Sequence, residues 1–139
     1  MSLLFRSTVS QSVRVVIEPL PTLDGVEPRP YSVMPKRFPF RFGRLEDFAR
    51  VSHRWLPEIL QVDDPQPHNV SREHCELSER SGKVWVRDLD SRLGAQVNGR
   101  HIGRNFPSFS AQLHEGENEL ILGRSHRGPR FRITVTRLD

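Results

Sequence analysis

Three short runs in this chain carry residue types that hold oxyanions. The first is Phe40-Arg41-Phe42-Gly43-Arg44, the second Asn69-Val70-Ser71-Arg72-Glu73-His74, and the third Val97-Asn98-Gly99. Arginine offers a forked guanidinium, serine a hydroxyl and asparagine a carboxamide, a set able to grip an anionic group and the chain beside it. A fourth run, Asp88-Leu89-Asp90-Ser91-Arg92-Leu93-Gly94, adds another serine and arginine. Catalysis has less support. Ser71 and His74 stand three apart, which invites a nucleophile and its base, but the chain has no Gly-x-Ser-x-Gly elbow and no oxyanion motif. His68, His74 and Cys75 lack the ligand spacing of a known zinc site. The chemistry on offer is binding, with no catalytic residue, metal or cofactor expected.

Groups like these need a rigid frame. At 139 residues the chain is long enough for one domain with a real core but not for two ordinary ones. Residues 1–11 read as a flexible N-terminal segment and 12–139 as the domain. Eleven prolines and nine glycines favour a turn-rich, all-β layout. Cys75 is the single cysteine, which rules out an internal disulfide and makes a reducing, cytoplasmic location the default. No apolar run reaches the length of a membrane span, and the apolar part of Met1–Arg6 is too short for a secretory signal. The net charge of +4 rests almost wholly on arginine, since only Lys36 and Lys83 are lysines. That charge suits an acidic partner.

Alternation of apolar and polar residues marks the strands. Val13, Val15 and Ile17 begin the first. Five prolines between residues 19 and 37 make an irregular connector. Phe38, Phe40 and Phe42 share one face of a second strand, which Pro39 places at a sheet edge; Gly43 then turns the chain. Leu45, Phe48, Ser52, Trp55 and Leu56 recur at helical spacing before Pro57, predicting a short amphipathic helix over 45–56. Ile59–Val62 reads as a brief strand and residues 63–69 as a loop. Strands around Cys75–Leu77 and Val84–Val86 flank a turn at Ser81-Gly82. Asn98-Gly99 is a hairpin turn, Glu115–Asn118 another turn, and Leu120–Leu122 a core strand. Phe131, Ile133 and Val135 alternate strictly with polar residues. Ten or eleven short strands at regular spacing argue for a β-sandwich, which gathers its loops at its two ends.

In this order, the three runs resemble the signature of the forkhead-associated (FHA) domain, a reader of phosphothreonine peptides. The resemblance covers roughly residues 12–137. It implies an FHA-like β-sandwich, a module for protein interaction in Ser/Thr kinase signalling, and a phosphothreonine-containing protein or peptide as partner. Residue by residue, it assigns Arg44 and Ser71 to the phosphate and Asn98 to the peptide main chain near it. Arg72 is a further contact to phosphate or peptide. Ser91 and Arg92 match the family's Asp-Leu-x-Ser-x-x-Gly run and are contacts beyond the phosphothreonine. Val97 lines the groove through its backbone. Gly43, His74 and Gly99 support the binding loop.

The chain departs from the family in having Ala95 where threonine is usual, and in a longer stretch from Arg44 to Ser71. The surplus coincides with the predicted helix, whose apolar stripe either covers the sandwich or offers an extra partner surface. Two rivals remain: a phosphate-independent docking module on the same fold, and a basic nucleic-acid-binding domain, which the absence of a helix-turn-helix, zinc knuckle or RNP motif disfavours. The sequence leaves open the partner, the kinase, the flanking-residue preference, the oligomeric state and whether this is a module of a longer protein. Thr8, if phosphorylated, is a candidate self-ligand.

Overall fold

The computed structural model describes residues 12–138. The N-terminal segment 1–11, with Thr8, lies outside them.

Eleven strands make up the regular structure: β1 Val13–Leu20, β2 Phe40–Arg44, β3 His53–Leu56, β4 Ile59–Val62, β5 Cys75–Arg80, β6 Lys83–Asp88, β7 Ala95–Val97, β8 Arg100–Ile102, β9 Ser110–Gln112, β10 Gly116–Leu122 and β11 Arg130–Arg137. They form two sheets, one ordered β1-β11-β10-β7-β8 and the other β3-β4-β2-β5-β6-β9. Period-two patterning explains how the sheets stack. Val13, Val15 and Ile17 of β1, Phe131, Ile133 and Val135 of β11, and Leu77, Val84 and Val86 of the β5–β6 hairpin are all buried. Phe42 and Phe131 meet between the sheets with ring centroids 5.2 Å apart. The turn pairs Ser81-Gly82 and Asn98-Gly99 both take positive φ at each position, the geometry a two-residue hairpin demands.

Several expectations give way. No helix forms over 45–56. Leu45 is buried, but Phe48 is 80% exposed and Val51 and Trp55 are also exposed, so the apolar stripe does not cover the core. The end of this segment pairs instead as β3 with β4, Leu56 opposite Ile59, with Pro57 and Glu58 as the turn. Cross-strand pairing outweighs a helical spacing that has no surface to bury it. Pro39 does not mark an edge: it precedes β2, which lies between β4 and β5. Gly43 does not turn the chain but lies within β2. The turn placed at Glu115–Asn118 falls earlier. Asn118 belongs to β10 and is buried, its Nδ2 donating to the carbonyls of His114 and Gly116.

The strand directions matter for the site. β2 and β4 run parallel, so Arg44 and Val62 finish at the same end of the sandwich. The β4–β5, β6–β7 and β10–β11 loops gather at that end. Gly123 N–H donates to the Gly94 carbonyl at 2.8 Å and ties two of these loops together.

Candidate functional site

The loop end is built around buried hydrogen-bonding groups. His74 is fully buried. Its Nδ1 accepts from the Ser71 backbone N–H at 3.0 Å, and a backbone N–H can only donate. The ring proton therefore sits on Nε2, which donates to the Gly94 carbonyl at 2.7 Å. One neutral imidazole thus clips the β4–β5 loop to the β6–β7 loop. Burial pushes its pKa below the ordinary histidine value, against the opposing pull of the Gly94 carbonyl and of Asp88 and Asp64. Both ring nitrogens are committed to backbone, and the Ser71 hydroxyl accepts from the Arg92 N–H at 3.1 Å. No nucleophile–base hydrogen bond joins Ser71 to His74.

Asp88 and Asp64 play matching parts in the two loops. Buried Asp88 accepts from the Ser91 hydroxyl at 2.6 Å and from the Ser91 N–H at 2.9 Å. Ser91 Oγ in turn accepts from the Gly94 N–H at 2.9 Å. Buried Asp64 accepts from the N–H groups of Asn69 and Val70, each at 2.7 Å. These bonds fix the backbone on either side of Ser71 before any ligand arrives, a form of preorganisation.

Gly43 explains why Arg44 and Ser71 come so close. A Cβ on Gly43 would lie 2.0 Å from the Arg72 carbonyl oxygen, so only glycine lets the loop lie against β2. The Arg44 N–H then donates to the Ser71 carbonyl at 3.1 Å, and its Nη1 to the Val70 carbonyl at 3.0 Å. Arg92 Nη2 donates to the His68 carbonyl at 2.8 Å. Arg72 is exposed, and its guanidinium has no hydrogen bond or ion pair among the described residues.

The guanidiniums of Arg44, Arg72 and Arg92 form no ion pair among the described residues. Elsewhere Arg41, Arg87, Arg104, Arg130 and Arg132 each reach a carboxylate at 3.4 Å or less. Arg44 and Arg92 instead donate to neutral carbonyls, and Arg72 to neither. Three guanidiniums with spare donors, one hydroxyl and rigid backbone make an anion-binding corner. A recess flanks it on each side. One, of about 670 Å³, is lined by His68, Asn69, Arg92, Leu93 and Arg127 among others. The second, of about 690 Å³, is lined by Arg44 and Arg72 together with the carboxylates Glu46, Asp47, Glu58 and Glu73 among others.

Not every residue picked from the sequence joins this corner. Ser91 is only 2% exposed and its hydroxyl is spent inside its own loop, so it shapes the loop and does not face a ligand. Val97, Asn98 and Gly99 lie at the other end of β7 from Gly94, about 13 Å away at the strand rise per residue. Asn98 Nδ2 donates to Asn118 Oδ1 at 3.0 Å and its Oδ1 accepts from the Glu119 N–H at 2.8 Å. That carboxamide fastens the β7–β8 turn to β10 and is not available to a ligand held at Ser71. Val97 is buried, opposite Leu120. Asp64 was missed by sequence reasoning, because an aspartate just before two prolines reads as loop filler until its backbone partners five and six residues on are seen.

Comparison with known proteins follows this geometry. The model of the FHA domain matches residues 41–123. No curated protein matches the sequence significantly. Among solved structures, the FHA domain of the CT664 protein from Chlamydia trachomatis is similar at 16% identity, TM-score 0.51, over 87% of this chain and 96% of that one. The FHA domain of an Arabidopsis thaliana protein is similar at 20% identity, TM-score 0.51, over 96% and 91%. Mycobacterium tuberculosis EmbR, solved in complex with a low-affinity phosphopeptide, is similar at 21% identity and TM-score 0.56, over 99% of this chain and 29% of that one. At these identities the structures share the fold.

Proposed function

This chain belongs to the FHA domain family, and from its site we propose that it is a phosphothreonine-dependent protein-interaction module of Ser/Thr kinase signalling. The observation that carries this reading is the set of arginines 44, 72 and 92, none in an ion pair with a carboxylate, on and beside the loops that carry Ser71 and are locked by His74, Asp64 and Asp88. A phosphate brings about −1.5 to −2 charges and three acceptor oxygens, which match spare guanidinium donors and a hydroxyl. The solved phosphopeptide complex of EmbR, which shares the fold, supports a ligand of this class. Arg44 and Ser71 hold the phosphate, with Arg72 and Arg92 on either side of it.

Hydrogen bonds to charged groups contribute roughly 1.5–3 kcal/mol each. Three of them contribute roughly 4.5–9 kcal/mol before the cost of ordering a flexible peptide, so binding is reversible and depends on the phosphate. Calorimetric titration against a phosphothreonine peptide library, with unphosphorylated and phosphoserine pools beside it, tests the reading. Binding is expected to the phosphothreonine pool alone. Arg44→Ala abolishes that binding while shifting stability by no more than about 1 kcal/mol, the worth of its bond to the Val70 carbonyl. Normal binding by Arg44→Ala overturns the site.

A further inference from the structure

We propose that the open edge of β3 is a second docking site, independent of phosphate, for an acidic extended segment of a partner protein. The backbone supplies the first argument. β3 and β4 are joined by the two-residue turn Pro57-Glu58, so the closing pair Leu56 and Ile59 is hydrogen-bonded, and every second pair after it. Arg54 with Gln61 follows, then Ser52, whose carbonyl accepts from the Asp63 N–H at 3.0 Å. The N–H and C=O groups of His53 and Trp55 therefore point away from β4. β3 ends its sheet, and no backbone hydrogen bond from another segment reaches these groups among the described residues. They form a template for one added strand.

Side chains say what that strand carries. Trp55 is 44% exposed and Leu56 37%. With Pro57 they floor a cleft of about 330 Å³ whose other lining residues are Lys36 and Arg37. No carboxylate lines it, and neither cation has an ion pair among the described residues. Both are exposed, as is Arg54 on the strand itself. An apolar floor under a cationic rim fits an apolar anchor flanked by Asp or Glu. The same cations oppose the pairing of two copies of this chain edge to edge, since like charges would meet. The cleft lies at the Leu56 end of β3, about 13 Å along the strand from the Arg44 corner at four residues of strand rise, and Leu56 also lines the recess that holds Arg44 and Arg72. One partner can thus engage both places, and binding at β3 requires no phosphate.

The probe is the unphosphorylated peptide Glu-Val-Glu-Phe-Asp-Val-Glu-Leu, fluorescein-labelled for anisotropy and unlabelled for amide chemical-shift mapping on the 139-residue chain. Saturable shifts are expected at residues 53–57 and 36–37. The double charge reversal Lys36→Glu/Arg37→Glu, at two exposed residues without partners, is expected to weaken binding by about tenfold. Trp55→Ala is expected to weaken it further, and a version of the probe with Lys in place of its acids should not bind. Several outcomes overturn the proposal: no shifts at millimolar probe, shifts centred on residues 63–74 or 89–94, or equal binding of the acidic and basic probes. Sedimentation that shows a dimer broken by Lys36→Glu/Arg37→Glu would name a second copy as the occupant and overturn it as well. The probe carries no phosphate, so its failure leaves the phosphothreonine reading standing, and the reverse also holds.

Discussion

Two glycines show how differently the same residue type can matter. Gly43 lies flat against the Arg72 carbonyl, which leaves no room for a methyl, whereas a Cβ on Gly99 would meet nothing within 4 Å. Gly43→Ala is expected to cost about 1–3 kcal/mol or more by overpacking, and to weaken phosphopeptide binding by displacing the loop that carries Ser71. Gly99→Ala is expected to cost only about 1 kcal/mol, through its positive φ of 83°, with binding unchanged. Urea unfolding midpoints and a titration of each variant check both halves. His74 makes a pH statement. Its folded pKa is lowered by burial, so on acidification the unfolded chain takes up the proton first, near the ordinary value of 6.5. Stability from this group is intact above that value and falls as pH drops below it, by at most about 1.4 kcal/mol per pH unit. NMR of the imidazole should show His74 titrating below the ordinary histidine value, and a signal titrating at 6.5 or above would contradict the assignment. Of the residues the motif assigns to loop support, His74 bridges the Ser71 and Gly94 backbones and Gly43 lies against the Arg72 carbonyl. Asn98 and Ser91, assigned by it to the ligand, have partners elsewhere in the chain that a motif does not display: Asn118 and Glu119 for the first, Asp88 for the second.

At the scale of elements, the strands were legible wherever one face is buried. β11 alternates buried and half-buried positions from Arg130 to Val135, and its sequence alternates in step. The segment between Arg44 and Ile59 was not legible, for a physical reason. Its apolar residues fall at helical intervals, but most of them face solvent, so their spacing carries no folding information. Only Leu45, 2% exposed and hydrogen-bonded through its N–H to the Val62 carbonyl, is anchored. Leu45→Ala is therefore expected to cost about 2–5 kcal/mol, and Phe48→Ala no more than about 0.5 kcal/mol. A helix laid over the sandwich would make both costly, so thermal unfolding of the two variants distinguishes the arrangements. Pro57, read as the stop of that helix, instead sits in the turn between β3 and β4.

Over the whole molecule the electrostatics are local. The net charge is +4 across 139 residues, and many arginines on the sheets are paired with carboxylates of neighbouring strands, as Arg87 is with Glu76 and Arg132 with Glu18. Such pairs add little to stability, but they cancel the field at a distance. Among the cations with no ion pair are Arg44, Arg72 and Arg92 beside Ser71 and Lys36, Arg37 and Arg54 near the β3 edge. Composition alone cannot separate this arrangement from a diffuse basic surface, the basis of the nucleic-acid-binding rival. The two predict different responses to salt. A ligand held by one phosphate at a preformed corner loses only a few-fold in affinity between 50 and 200 mM salt, with screening lengths falling from roughly 14 to 7 Å. A protein neutralising six or more nucleic-acid phosphates loses about 10³-fold or more over the same range. Titrating a labelled phosphothreonine peptide and a random DNA duplex across that range should give a shallow slope for the first and no specific binding for the second. A steep slope for the duplex, undisturbed by Arg44→Ala, would mean that the surface field and not the corner governs what this domain binds.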